Sequence, residues 1–159
     1  MKELKQQVII RKYQFEELTD SDKRLIEAAK ETTKRSYAPY SHFNVGAAAL
    51  LDDGTIVTGS NQENAAYPSG LCAERTTLFH AGSEYPDKAV TTLAIAASNS
   101  EGFTEQPVTP CGACRQVMLE AEQRHHRPIR MLMYGTACIY ETRGTKDLLP
   151  LSFGIESME

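Results

Sequence analysis

Two short motifs hold the residues best suited to chemistry: Cys72-Ala73-Glu74 and, further along, Pro110-Cys111-Gly112-Ala113-Cys114. Cys111 and Cys114 are three apart, so on a helix they share a face and can grip one ion together, while Cys72 comes from the opening of another helix. Thiolates select zinc over hard cations. Helix N-termini carry partial positive charge and free N–H groups, which lower thiol pKa values and help three negative sulfurs lie close together. Glu74 follows Cys72 by two positions, about 200° round a helix, so it is poorly placed to grip the same ion and reads as an adjacent acid/base. Three protein ligands leave the fourth tetrahedral position to water, whose pKa a metal can bring down to about 7. Three thiolates also over-neutralise a divalent ion and blunt its Lewis acidity. A neighbouring cation offsets this by drawing charge from the sulfurs, and Arg75 is the candidate. The expected cofactor is Zn2+, one ion per chain.

The fourth cysteine offers a different reading, in which Cys138 closes the site and the metal only holds the fold together. Structural sites usually pair two CxxC-like knuckles, and Cys138 has no such partner. It lies in an apolar stretch, where a buried free thiol packed as a small hydrophobe is the ordinary expectation.

The elements that must position these residues alternate between the two periodicities. Residues 8–13 read as a short N-terminal strand, and 21 or 22 to about 35 as a helix with Leu25, Ile26, Ala29 and Thr33 on one side. Residues 45–51 and 55–58 flank Asp52-Asp53-Gly54, a β-hairpin turn, and Gly46 with three alanines marks a closely packed strand. A helix is expected over 72–81, with Gly82 at a left-handed C-terminal cap, and a buried strand over 91–97. Pro110 is placed at the first position of a helix running to about 123, followed by strands at 129–134 and 138–140. This order predicts an α/β fold, a five-stranded mixed sheet between helical layers.

The chain's 159 residues, 41% hydrophobic and 24% charged, suit one soluble domain with a single core. Its start shows no apolar segment long enough for a signal peptide or membrane span, so a cytoplasmic location is expected, with no membrane partner. In a reducing compartment, metal binding or catalysis is a more natural use of four cysteines than cross-linking. The net charge of -4 and the lack of a basic block count against a nucleic-acid partner. The one basic cluster, Arg124, His125, His126, Arg127 and Arg130, reads as a solvated helix C-terminus.

With these residues set out, the chain resembles the cytidine deaminases of the short-chain, homotetrameric type. The likeness runs from about Tyr37 to the tail, through Tyr40-Ser41-His42-Phe43-Asn44-Val45-Gly46-Ala47-Ala48, Asn61-Gln62-Glu63-Asn64-Ala65, Cys72-Ala73-Glu74-Arg75-Thr76, Pro110-Cys111-Gly112-Ala113-Cys114-Arg115-Gln116 and Leu148-Leu149-Pro150. It implies a three-layer α/β/α sandwich and attack of water on C4 of cytosine, with Glu74 carrying a proton to N3 and then to the departing amine. It also implies that Asn61 and Glu63 bind ribose, which agrees with an extended backbone, where residues two apart face the same way. Phe43 and Ala73 become contacts to the substrate, and Phe153 a tail aromatic that completes a neighbour's pocket in a homotetramer. Tyr40 and Tyr67 match interface tyrosines. Residues 1–19 are an extension that the family core does not require, and Asn44 holds a variable position.

The leading expectation is deamination of cytidine and deoxycytidine in pyrimidine salvage, with a small nucleoside as partner. Its rivals are the same zinc chemistry on another aminopyrimidine, such as blasticidin or a cytosine in polynucleotide, and a non-catalytic zinc-stabilised module. The acidic balance opposes polynucleotide.

Overall fold

The computed structural model describes residues 1–158. Thr19 opens the first helix, its hydroxyl accepting the Asp22 amide, and α1 runs Asp20–Thr32 before tightening into a 3-10 turn at Thr33–Arg35. The hairpin follows as β2 (Asn44–Leu51) and β3 (Ile56–Ser60), antiparallel around Gly54, whose φ of 90° suits glycine. Next come α2 (Ala73–Glu84), β4 (Val90–Asn99), α3 (Gly112–His125), β6 (Arg130–Tyr134) and β7 (Ile139–Arg143).

The sheet has seven strands against the five expected. The five are all present, and two short ones add to them. β1 (Arg11–Tyr13) pairs antiparallel with β7 at one edge, and β5 (Gly102–Phe103) doubles back on the end of β4. The main order is β1-β7-β6-β4-β2-β3, with β4 and β6 parallel and the other pairs antiparallel.

Strand alternation divides the core into two layers, as a sheet buried on both faces requires. Ala47, Ala49 and Leu51 point to one face with Leu93, Ile95, Met131 and Met133, where Leu78 and Ala81 of α2 and Met118 of α3 cover them. Ala48, Ala94, Ala96 and Leu132 point to the other, covered by Leu25, Ile26 and Ala29 of α1. The result is the expected three-layer α/β/α sandwich. Small residues set the spacing: a methyl on Gly46 would lie 2.1 Å from the Ala29 carbonyl oxygen, so α1 can seat on β2 only because that side chain is missing.

Topology brings two helix openings together. β3 and β4 both run antiparallel to β2, so they point the same way, and the helices that follow them start at the same end of the sheet.

Several boundaries differ from expectation for local reasons. α2 continues through Gly82 to Glu84, because the Tyr85 amide still reaches the Ala81 carbonyl and the bare Gly82 Cα admits the Arg124 guanidinium. Pro110 lies just outside α3, whose N-cap is Cys111 with extended backbone; α2 closes at Tyr85 with no left-handed residue, and the left-handed C-cap belongs to α3, at His126. Arg130 is no solvated helix end: it sits on β6 with its guanidinium on Asp22 at 2.5 Å and on the fully buried Glu141 at 2.6 Å. Burial, the largest single influence, would raise the Asp22 carboxyl, yet the Arg130 ion pair and the hydrogen bonds from Thr19 together outweigh it and hold that group below its ordinary value. Among the described residues, no helix is long and apolar enough to cross a membrane.

Candidate active site

The two helix openings carry the cysteines. Cys72 is the N-cap of α2 and Cys111 the N-cap of α3, both with extended backbone, and Cys114 lies one turn into α3. Their three sulfurs lie within 4.8 Å of one another. Cys72 Sγ is 3.7 Å from Cys111 Sγ, which is 3.4 Å from Cys114 Sγ. Sulfurs bound at ~2.3 Å on the corners of a tetrahedron stand about 3.8 Å apart, so this triangle fits a zinc ion with little adjustment. Exposure is graded, with Cys111 exposed, Cys72 half-buried and Cys114 buried.

Arg75 and Glu74 meet this triangle from α2. The Arg75 Nη2 stands 3.9 Å from Cys72 Sγ and also donates to the Gly70 carbonyl. The hydrogen bond from Cys114, aided by Arg75, holds the Cys72 thiol down at about 5, and the same contact pushes Cys114 upward. Glu74 is 5% exposed, and burial pushes its carboxyl up to about 7. A buried carboxyl beside a thiolate-rich site can take up a proton and release it.

A cavity of about 480 Å³ is lined by Cys72 and Arg75 together with Asn61, Glu63, Tyr40 and Tyr67. Asn61 Oδ1 accepts the Val45 amide and its Nδ2 donates to the Phe43 carbonyl, so this side chain fixes the strand entry that carries Phe43. Glu63 Oε2 accepts the Tyr40 and Ser41 amides, and the Ser41 hydroxyl donates to Oε1. The hydrogen bond from Ser41 comes first in holding the Glu63 carboxyl below its ordinary value. Phe43 is half-buried, Ala73 is buried at the first turn of α2, and neither lines this cavity. Phe153 lies on the tail, 62% exposed, held there by Gln116 Nε2 donating to its carbonyl at 2.8 Å.

Cys138 is buried and stands apart from the sulfur triangle. Cys138→Ala is therefore expected to leave the zinc content of the purified protein unchanged by atomic absorption, and loss of metal would put Cys138 among the ligands.

Two contributors escaped sequence reasoning. Ser41 links the 40–41 backbone to Glu63, and a serine in a turn gives no distinctive signal. Arg115 donates from Nε to the Pro110 carbonyl at 2.9 Å and from Nη1 to the Leu148 carbonyl at 2.6 Å, tying the Cys111 knuckle to the tail. A cation in the first turn of a helix opposes the macrodipole, and that anomaly was readable in advance.

The chain matches the model for the cytidine and deoxycytidylate deaminase zinc-binding region over residues 19–127. It is 49% identical over 96 residues to a cytidine deaminase of Halalkalibacterium halodurans, covering 60% of this chain and 68% of that one. A cytidine deaminase of Mycobacterium tuberculosis is 38% identical over 133 residues, covering 82% and 87%. In three dimensions it superposes on the crystal structure of cytidine deaminase from Burkholderia pseudomallei with a TM-score of 0.71 at 38% identity, covering 86% of this chain and all of that one.

Proposed function

The chain belongs to the cytidine and deoxycytidylate deaminase family, and from that premise we propose that it hydrolyses cytidine and deoxycytidine to uridine and deoxyuridine with release of ammonia. The observation that carries this reading is the buried Glu74 two residues from Cys72, the corner of the three-sulfur triangle that lines a nucleoside-sized cavity.

Cys72, Cys111 and Cys114 would hold the zinc, which when bound supplies a Lewis acid and lowers the pKa of a water molecule to about 7. Glu74 then takes a proton from the attacking water and delivers it to N3 of the pyrimidine, which makes C4 more electrophilic. The same carboxyl then takes the proton of the new C4 hydroxyl and hands it to the 4-amino group, so that the C4–N bond breaks, C4 becomes a carbonyl and ammonia leaves. Arg75 draws charge from the Cys72 sulfur.

Asn61 and Glu63 are the proposed ribose contacts. A carboxylate has about four lone-pair sites, of which Glu63 uses three, and an amide has two donors and two acceptor sites, of which Asn61 uses one each. Both keep capacity for a sugar hydroxyl while holding the loop that carries Phe43. Phe43 and Ala73 complete the substrate contacts.

The proposed assembly is a homotetramer in which Phe153 serves a neighbouring pocket. Tyr40, Tyr67 and Phe153 are 48%, 76% and 62% exposed, a level of aromatic exposure that suits burial between subunits. Thiol ligands suit a reducing cytoplasm, and pyrimidine salvage is the proposed role, with the chain acting as one domain.

Ammonia release measured side by side on cytidine, deoxycytidine, cytidine monophosphate and blasticidin tests this. Turnover of the two nucleosides is expected. Turnover confined to the monophosphate or blasticidin would move the protein to another substrate, and none at all would leave a non-catalytic module.

A further inference from the structure

Far from the sulfur triangle along the chain, the N-terminal segment folds against the end of β7 and the 3-10 turn Thr145–Asp147. The Ile9 amide donates to Asp147 Oδ1 at 3.4 Å, and the two segments enclose a cavity of about 420 Å³. Arg11 of β1, Arg143 of β7 and Lys146 of the turn line it, with Gln6 and Gln7 beside them.

The charge around this cavity is unevenly matched. The fully buried Glu141 serves three guanidiniums: Arg130 at 2.6 Å on Oε2, and both Arg143 at 2.9 Å and Arg11 at 3.7 Å on Oε1. Arg143 meets it through Nε alone, so its two terminal nitrogens have no acceptor among the described residues, and neither has the Lys146 ammonium. The one carboxylate on the cavity wall is Asp147, whose oxygens already accept the Ile9 and Arg143 amides. A chain of net charge -4 thus gathers three cations on one concave surface, with donors left over. Guanidinium forks match phosphate oxygens in pairs, and an ammonium adds a point charge. The volume exceeds what a lone phosphate fills and falls in the range of small-molecule pockets.

We propose that this cavity is a second ligand site, taking a phosphate-bearing small molecule whose phosphate is held by Arg143, Lys146 and Arg11. The N-terminal extension then has a purpose, because its residues before β1 supply Gln6 and Gln7 to the wall and β1 supplies Arg11.

The test is isothermal titration of the zinc-loaded full chain, at fixed ionic strength, with inorganic phosphate, pyrophosphate and ATP in separate arms. Saturable binding at one site per chain is expected in at least one arm, and Lys146→Glu is expected to weaken it about tenfold or more. Lys34→Glu changes the charge equally in the exposed 3-10 turn after α1, where Lys34 pairs with Glu31, and should leave binding unaltered. Arg143→Gln repeats the test from the other wall. Since Arg143 supports a buried carboxylate, circular dichroism must first show that variant folded, and Lys146→Glu decides the matter alone if it is not. Tighter binding of ATP than of phosphate would make a nucleotide the ligand, and the reverse would make it the free ion. No saturable binding in any arm, or equal affinity in wild type and Lys146→Glu, would overturn the proposal.

Discussion

Replacing Glu74 by Gln should reduce turnover of cytidine by about 10²- to 10⁴-fold, the usual contribution of a positioned acid/base, while zinc content stays at one per chain. The amide matches the carboxylate in size, so the packing around this 5% exposed side chain at the start of α2 is preserved. What it loses is the ability to accept a proton. Because Glu74 is no corner of the sulfur triangle, the metal should be retained, and that separates the role of proton carrier from that of ligand. Single-turnover kinetics with metal analysis of the same sample checks both halves. A variant that keeps more than a tenth of wild-type turnover, or one that loses zinc, contradicts the assignment.

Stripping the metal should have an equally large effect on activity and almost none on the fold. Metal Lewis acidity contributes several kcal/mol, and at ~1.4 kcal/mol per tenfold its removal should lower turnover by about 10³-fold or more. The two apolar layers, by contrast, are built from aliphatic residues of the strands and all three helices, and none of the three cysteine ligands belongs to either. Far-UV circular dichroism should therefore persist after chelation, and zinc should restore ammonia release. A small module stabilised by its metal would unfold instead, so collapse of the spectrum would favour that reading, and activity surviving in metal-free protein would remove zinc from the chemistry.

The sulfur site was readable because its information is local. Cys111 and Cys114 meet through helix periodicity, and a residue that opens a helix after a strand sits at the sheet's end whatever the rest of the fold does. Gly46 and the run Ala47, Ala48 and Ala49 likewise foretold a closely packed strand, which the structure buries on both faces. The remaining features depend on partners distant in sequence. β1 keeps only the end of the stretch read as a strand at 8–13, the part that pairs with β7, while β5, two residues turned back on β4, is too short for any pattern. Gly82 reads as a helix stop until Arg124 is seen against it. Arg130 looked like part of an exposed basic run, and only the approach of Asp22, 108 residues away, shows it to be an ion-pair centre. Asn61 and Glu63 carry a backbone-holding duty that residue type alone cannot disclose, since it depends on where Phe43, Tyr40 and Ser41 return to meet them.

That same distinction between near and far governs Cys138, which shares a residue type with the ligands but not their place. X-ray absorption at the zinc edge of the purified protein reads the coordination shell directly. The account predicts three sulfurs at about 2.3 Å and one lighter oxygen or nitrogen atom, the open position that a hydrolytic site needs. Four sulfurs, or a protein without zinc, would contradict it.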